Sequence, residues 1–425
     1  MRYAKYKATD IPWLPEIPVG WISAKVRKYF RPRSEKVSDK DFAPLSVAKI
    51  GVVPQLEDVA ISLAEGNSRK LVRKGDYVVN SRSDRKGSCG IAPSDGSVST
   101  ICSILEPHDI ERGYVHYLFR SVPWVEEYYR NGRGIVADLW TTGIQKLMNM
   151  MMPIPPLAEQ RKIVEYLDEQ CGKIDEAVKA KEREVELLKE CKQSLIAEAV
   201  TKGVQGKRKM KQTGIVWLPQ VPDGWSVVRL KHIVDTPITD GPHETPEFVD
   251  EGIPFVSAEA SHDGRIFLEE CRGFISRELH EQFCKKVRPQ RNDIFIVKSG
   301  STTGKTVMVD IDDEFSVWSP LALVRVGKKA NCKYVFYFLS SPLFQREVQD
   351  NWSFGTQPNI AMGALAQLIL PIPPLAEQEK IVKYLDEKCG KIDEAVKAKE
   401  REVELLKELK QSVIAETVTG QRKVA

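Results

Sequence analysis

One stretch of 48 residues occurs twice, 218 positions apart. Residues 153–200 read PIPPLAEQRKIVEYLDEQCGKIDEAVKAKEREVELLKECKQSLIAEAV, residues 371–418 read PIPPLAEQEKIVKYLDEKCGKIDEAVKAKEREVELLKELKQSVIAETV, and 42 of the 48 positions are identical. A shorter repeat precedes each copy at an offset of 204: Trp13-Leu14-Pro15 with Gly20-Trp21, and Trp217-Leu218-Pro219 with Gly224-Trp225. The segment enclosed in the second half is therefore 14 residues longer. Two copies so far apart do not make a solenoid, whose units touch only their neighbours. The pattern is a pseudo-dimer carried by one chain: a variable segment and a constant one, twice over.

The constant segment reads as helix. Pro153, Pro155 and Pro156 stop what precedes them, and Ile163, Val164 and Leu167 then share one face. Cys171-Gly172 is a predicted break. Beyond it Ile174, Val178, Lys181, Val185, Leu188, Lys192, Leu195 and Ala199 follow a 4-3-4-3 spacing, matched in the second copy from Ile392 to Thr417. Two lysines interrupt each seam, so such a coiled coil is expected to be weak alone. Leu187 and Ile196 widen the apolar stripe, which points to more than one packing partner for each helix. Gly203 is a suitable stop. A stretch of about 28 residues after the break makes a rod of about 42 Å at roughly 1.5 Å per residue. A solvated helical linker is the alternative, but a linker needs only charge and helix propensity, not near identity. The simplest arrangement is an antiparallel pair about a pseudo-two-fold axis.

Charge divides the chain unevenly. Residues 1–152 carry a net charge of +6, residues 204–213 of +4 and residues 214–370 of −4. A basic face favours nucleic acid, so the acidic second segment needs a local patch if it is to bind DNA. The eight cysteines form no C-x-x-C pair, which argues against zinc and for reduced thiols. No apolar run approaches the roughly 20 residues of a membrane span, and residues 1–18 hold no apolar core of a secretory leader. The expected compartment is the cytoplasm.

The phrase PIPPLAEQ-x-KIV-x-YLD, with a helix ending QS-x-IAE-x-VT, resembles the conserved regions of type I restriction–modification specificity subunits. The resemblance extends through order and spacing over essentially the whole chain. Thr239-Asp240-Gly241-Pro242-His243-Glu244-Thr245-Pro246, the run Asn292–Lys305 and the run Ser353–Ile360 are similar to segments of such recognition domains. The first variable segment resembles a different subclass, with Gly51-Val52-Val53-Pro54 and Gly75–Gly87.

Both variable segments read as short strands, Gly-rich turns and short helices, hence mixed α/β. The expected organisation is residues 1–152 and 214–370 as target-recognition domains, 153–203 and 371–425 as helical conserved regions in an antiparallel coiled coil, and 204–213 as a basic linker. The resemblance implies a non-catalytic subunit that reads a two-part site in double-stranded DNA. It also implies docking of two methyltransferase subunits and, through them, restriction subunits. The surface implied for docking is Pro155, Pro156, Glu159, Gln160, Ile163, Leu167 and Leu187, with their counterparts Pro373, Pro374, Glu377, Gln378, Ile381, Leu385 and Leu405.

Ser299–Thr306 follows an apolar run and looks like a phosphate loop, but three residues separate Gly300 from Gly304 where four are needed. Hydroxyls, backbone N–H groups and a lysine suit DNA phosphates and base edges; a plain structural turn is the alternative. The candidate DNA contacts here are Lys298, Ser299, Ser301, Thr302, Thr303 and Lys305, with Asp240, Gly241, His243 and Thr245. Gln357 and Asn359 suit adenine, or cap the chain turn. In the first segment Arg82, Ser83, Arg85 and Lys86 hold the corresponding place: arginine forks match guanine and lysine suits phosphate, or the loop is simply solvated. No N-P-P-[YF] or F-x-G-x-G set of an adenine methyltransferase and no nuclease cluster stands out. No cofactor and no metal are expected.

Overall fold

The computed structural model describes residues 2–55, 69–133, 140–354 and 357–424, with the side chains of Ser83 and Phe354 excepted. It divides into two compact units, residues 1–182 with 400–425, and residues 183–399. Each contains one variable segment, one end of the central helix Leu157–Lys202 and one end of the C-terminal helix Leu375–Val418. The fold is mixed α/β.

In the first unit a four-stranded antiparallel sheet runs in the order Cys89–Ile91, Tyr77–Asn80, Cys102–Pro107, Phe30–Arg33. A three-stranded sheet (Gly96–Ser99, Arg69–Val72, Lys36–Val37) and a hairpin (Leu45–Ala48 with Gly51–Pro54) lie in the same unit. In the second unit the four-stranded sheet runs Thr239–Asp240, Leu321–Val324, Ile294–Val297, Thr306–Met308, again antiparallel. The strand Ile294-Phe295-Ile296-Val297 is buried at every residue. That burial on both faces explains its unbroken apolar, β-branched sequence. Two helices follow each sheet, Arg112–Arg120 and Val122–Arg130 in one unit, Cys332–Leu339 and Pro342–Asn351 in the other.

The variable segments share little sequence, yet they share this framework. Buried Asp76 pairs with Arg33 at 2.8 Å, and buried Asp293 with Arg325 at 2.6 Å, at the turn before the central strand. The arginine comes from a different place in each unit: Arg33 ends the strand Phe30–Arg33, and Arg325 follows the strand Leu321–Val324.

The two tryptophan repeats have the same task. Helix-ending Gly203 has φ +78° and Gly420 has φ +76°, the left-handed turn that glycine adopts without strain. A Cβ on Gly203 would lie 3.3 Å from the ring of Trp225, and one on Gly420 3.4 Å from that of Trp21. Both tryptophans are buried.

The predicted break at Cys171-Gly172 does not occur. The central helix runs unbroken for 46 residues and the C-terminal helix for 44, so the rod of 28 residues was too short. Cys171 is anchored in the first unit's core beside Ile163 and Leu167. That burial outweighs the roughly 1 kcal/mol cost of one helical glycine.

The helices pair antiparallel, and the seam lysines are part of the pairing. Inside the first unit Lys410 donates to Asp175 at 2.7 Å and Lys181 lies 3.2 Å from Glu402. Inside the second, Lys192 donates to Asp393 at 2.7 Å and Lys399 lies 3.3 Å from Glu184. These are the same contacts displaced by 218 positions. The lysine side chains are only 27–28% exposed, so their stems cover the seam while their heads are paired. Partly exposed pairs are each worth about 0–1 kcal/mol; they fix register more than they add stability. Ile196 is buried in the second unit's core, whereas Leu187 stays 47% exposed.

Gly172 and Gly390 lie inside their helices with nothing within 4 Å of a built Cβ. Gly172→Ala should therefore stabilise the protein by about 0.5–1 kcal/mol through lost freedom in the unfolded chain. Urea melts of the two proteins measure this, and a destabilised variant would mean that the glycine is required there.

Candidate nucleic-acid interface

The second unit builds its loop from the central strand outward. After Val297 the chain runs through Lys298–Lys305 and returns as Thr306–Met308. Gly300 has φ +103° and Gly304 φ +93°, and a Cβ on Gly304 would sit 2.5 Å from Gln345 Oε1. Thr303 is buried; its hydroxyl donates to Gly300 O at 2.8 Å and lies 3.0 Å from Pro358 O. The loop is pinned to two neighbours. Lys298 N donates to Pro320 O at 2.8 Å, Gly300 N to Pro358 O at 3.1 Å and Ile360 N to Lys298 O at 2.8 Å. Ser299 thereby bridges to Asn359.

Beneath the loop lies a charged cluster. The Asp240 carboxylate accepts from Lys286 at 2.7 Å and lies 3.1 Å from Lys298 Nζ and 3.2 Å from His243 Nε2. Burial by itself pushes its carboxyl up, but Lys286 and Lys298 outweigh burial and hold it below the usual carboxylate range. Gly241 is obligatory: a Cβ would fall 2.0 Å from Val317 O.

The candidate residues thus divide. Thr303, Gly241 and Asp240 hold the platform, and Lys298 is half-buried against Asp240. Ser301, Lys305, Gln357, Asn359, His243 and Thr245 are exposed, while Ser299 and Thr302 are half-buried. Among the described residues Lys305 makes no ion pair. The chain enters a strand after Lys305, where a nucleotide-binding phosphate loop opens a helix.

The first unit repeats this geometry with other side chains. Arg82 bridges to Thr141 as Ser299 does to Asn359, and Thr142 N donates to Ser81 O at 3.0 Å as Ile360 N does to Lys298 O. Asp84 accepts both forks of Arg82, at 2.8 and 2.9 Å, and Glu126 accepts Lys86 at 2.6 Å. Arg85 is the freest cation, 62% exposed and 3.7 Å from Asp84. The backbone of Ser83 lies in the same short turn, but its side chain is outside the described residues. Sequence reasoning missed Arg133, Trp140 and Thr141, which border this loop. The only available signal was an arginine and a tryptophan upstream of Pro153. It also missed Lys286, which reaches Asp240 from 46 positions away.

The residues implied for docking also divide. Pro155, Gln160, Ile163, Leu167, Pro373, Gln378, Ile381 and Leu385 are buried within their own units. Gln160 accepts from Glu111 N at 2.9 Å and donates to Pro155 O at 2.8 Å; Gln378 does the same with Asn331 N and Pro373 O. Glu159 accepts from Tyr3, and Glu377 from Trp225 and Arg208. These side chains serve the fold of their unit. Pro156, Pro374, Leu187 and Leu405 are exposed.

His280, Glu281 and Glu314 are close enough together to hold a cation. Glu281 pairs with Arg288, Glu314 with Arg277, and His280 Nδ1 lies 2.9 Å from Ser316 Oγ, so the cluster is already engaged internally. Among the described residues no helix is long and apolar enough to cross a membrane.

Two sheets that each end in a rigid polar platform, each followed by a near-identical helix, define a two-module recognition scaffold. Residues 222–405 match the family described as the type I restriction modification DNA specificity domain. The chain is 25% identical over 281 residues to the type I restriction enzyme MjaVIII specificity subunit of Methanocaldococcus jannaschii, covering 65% of this chain and 63% of that one. It is 26% identical over 282 residues to the EcoBI specificity subunit of Escherichia coli, covering 65% and 59%. The matches thus span about three-fifths of the length of these relatives.

Two solved structures share the fold. One is a chain from work on complex assembly and conformational transition of the type I R-M system, with TM-score 0.69, 19% identity and coverage of 95% and 98%. The other is the HsdS subunit of Thermoanaerobacter tengcongensis, with TM-score 0.50, 20% identity and coverage of 96% and 98%. Residues 222–405 thus match the type I restriction modification DNA specificity domain, and the curated relatives of the chain are type I restriction enzyme specificity subunits.

Glu347 is a buried carboxyl in the helix Pro342–Asn351 of the second unit. Its carboxylate accepts from Ile369 N at 3.0 Å, yet burial pushes it up to about 7. A carboxyl raised above its unfolded value costs stability increasingly as pH rises from the unfolded value to the folded one, the cost being complete above the folded value and small near pH 5. The wild type should lose about 2–3 kcal/mol more than Glu347→Gln between pH 5 and pH 8. Denaturant melts at the two pH values measure the difference; parallel losses would show that Glu347 is not buried in its charged form.

Proposed function

We propose that the chain is the DNA-recognition subunit of a type I restriction–modification complex and does no chemistry itself. Residues 1–152 and 214–370 act as target-recognition domains, 153–203 and 371–425 as constant helical regions, and 204–213 as a basic linker. The observation that carries this reading is the repeated platform: one backbone arrangement, Ser81-Arg82 against Thr141-Thr142 and Lys298-Ser299 against Asn359-Ile360, bearing different side chains. Such a design reads two different half-sites in double-stranded DNA. Arg82 and Arg85 suit guanine, Gln357 and Asn359 suit adenine, and Lys86, Lys298 and Lys305 suit phosphates. Ser83, Ser299, Ser301, Thr302, His243 and Thr245 complete the two polar surfaces.

Near-identical helical surfaces suit two copies of one partner. We assign these copies to methyltransferase subunits, docked on exposed Pro156, Leu187, Pro374 and Leu405, with restriction subunits joining through them. The complex acts in the cytoplasm.

Genome-wide adenine methylation should be mapped in a host with and without the chain. The map should show an asymmetric target of two short blocks with an unspecified spacer, and exchanging residues 1–152 for those of another family member should change one block only. A single continuous palindrome would sink the reading.

Lysine and arginine variants separate the two kinds of contact. Lys305→Ala should weaken binding to all sequences alike and reduce the salt slope by about one. Arg85→Ala should relax one position of one block, at about 1–3 kcal/mol. Titrations at several salt concentrations against matched and mismatched duplexes provide the check, and a salt-independent affinity would contradict phosphate contacts.

A further inference from the structure

We propose that the indole of Trp140 makes an apolar contact with the 5-methyl group of a thymine in the half-site read by the first unit. This rests on the DNA-recognition reading above and adds a specificity-determining residue to it. Trp140 is 39% exposed, a large aromatic side chain beside the charged Arg82 loop. It immediately precedes Thr141, which bridges to Arg82 on one side and Arg133 on the other. Arg133 and Thr141 exchange two N–H···O bonds of 3.1 Å, and Thr142 N donates to Ser81 O at 3.0 Å. Thr141, the residue after the indole, is therefore held from both sides. The cations around it are Arg82, whose fork is taken by Asp84, Arg133, and the freer Arg85.

The chemistry of the groove narrows what such a ring can read. In the major groove the bases present donors, acceptors and one apolar group, the thymine methyl. Insertion between base pairs needs a ring that projects with both faces free. An indole with about three-fifths of its surface already covered, next to a residue pinned by two bridges, has no such freedom. An edge contact with a methyl group is what remains open to it. In the second unit the same place on the platform, beside Asn359, is taken by Pro358. The contact therefore belongs to one half-site only.

The test uses the assembled complex and the duplex defined by methylation mapping. Each thymine of the block assigned to the first unit is replaced in turn by deoxyuridine, which lacks the methyl group. One replacement should weaken wild-type binding about three- to fivefold, the scale of one lost buried methyl contact. The same replacement should leave Trp140→Ala binding unchanged, while Trp140→Phe should keep part of the response. Unaltered reading of the second block by each variant shows that the protein is folded.

A first block without thymine, a wild type indifferent to every uridine, or a Trp140→Ala protein that responds like wild type would overturn the assignment. So would brightening of 2-aminopurine in the block with wild type but not Trp140→Ala, because that reports an unstacked base instead of a methyl contact. A wild-type complex that binds no duplex selectively would defeat the recognition reading itself, and this inference with it.

Discussion

In each unit a single buried hydroxyl joins the variable segment to both long helices. Tyr114 donates to Pro153 O at 2.8 Å and lies 3.1 Å from Val418 O; Tyr334 stands 2.9 Å from Pro371 O and 3.1 Å from Val200 O. One carbonyl belongs to the strand that enters a helix, the other to the last turn of the opposite helix. Carbonyls in a last turn have no partner within the helix, and buried ones are costly to leave unmade. Burial drives both phenols far above their ordinary range, so they remain neutral donors. The tyrosine thus sets where the recognition segment sits on the helical pair of its own unit.

Around that bond the apolar contacts supply the stability and the polar ones the geometry. Ile163 and Leu167 in the first unit, Ile381 and Leu385 in the second, are fully buried against the segment that precedes their helix. At about 25 cal/mol per Å² of apolar surface removed from water, four such side chains outweigh a handful of half-exposed ion pairs. The lysine–carboxylate contacts of the seam discriminate instead: a shift of one helix along the other would leave like charges facing one another.

Much of the fold was legible because the repeat is nearly perfect. Its helical period and its stops at Gly203 and the proline run follow from residue spacing; its antiparallel sense was the simplest arrangement of two like helices and was implied by the family resemblance. The continuity through Gly172 did not follow, since a helix-breaking glycine was overridden by burial of its neighbours, which only tertiary structure reveals. The seam lysines read as defects for the same reason: their partners Asp393 and Asp175 lie over 200 positions away.

At the candidate interface, strand-following loops and glycine turns marked the loops that the structure brings together. Which side chains face outward could not be read, because buried Thr303 and half-buried Lys298 have the same residue types as exposed Thr245 and Lys305. The kinship of the two variable segments showed only in the corresponding place of their post-strand loops, since hydrogen bonds between backbones preserve a framework without preserving residues. Trp140 and Arg133 went unnoticed because no periodicity ties them to Arg82.

The way each unit draws on distant parts of the chain bears on its synthesis. The first unit's core includes Val413, Ile414 and Val418, and Tyr6 donates to Gly420 O across 414 positions. A ribosome that has just released residue 182 must add more than 200 further residues before those partners exist. At about 5–20 residues per second that interval is roughly 10–40 s. The second unit, confined to residues 183–399, can close first. Through that interval the nascent first unit keeps an apolar helix face uncovered, so of the two units the one begun earlier is completed later.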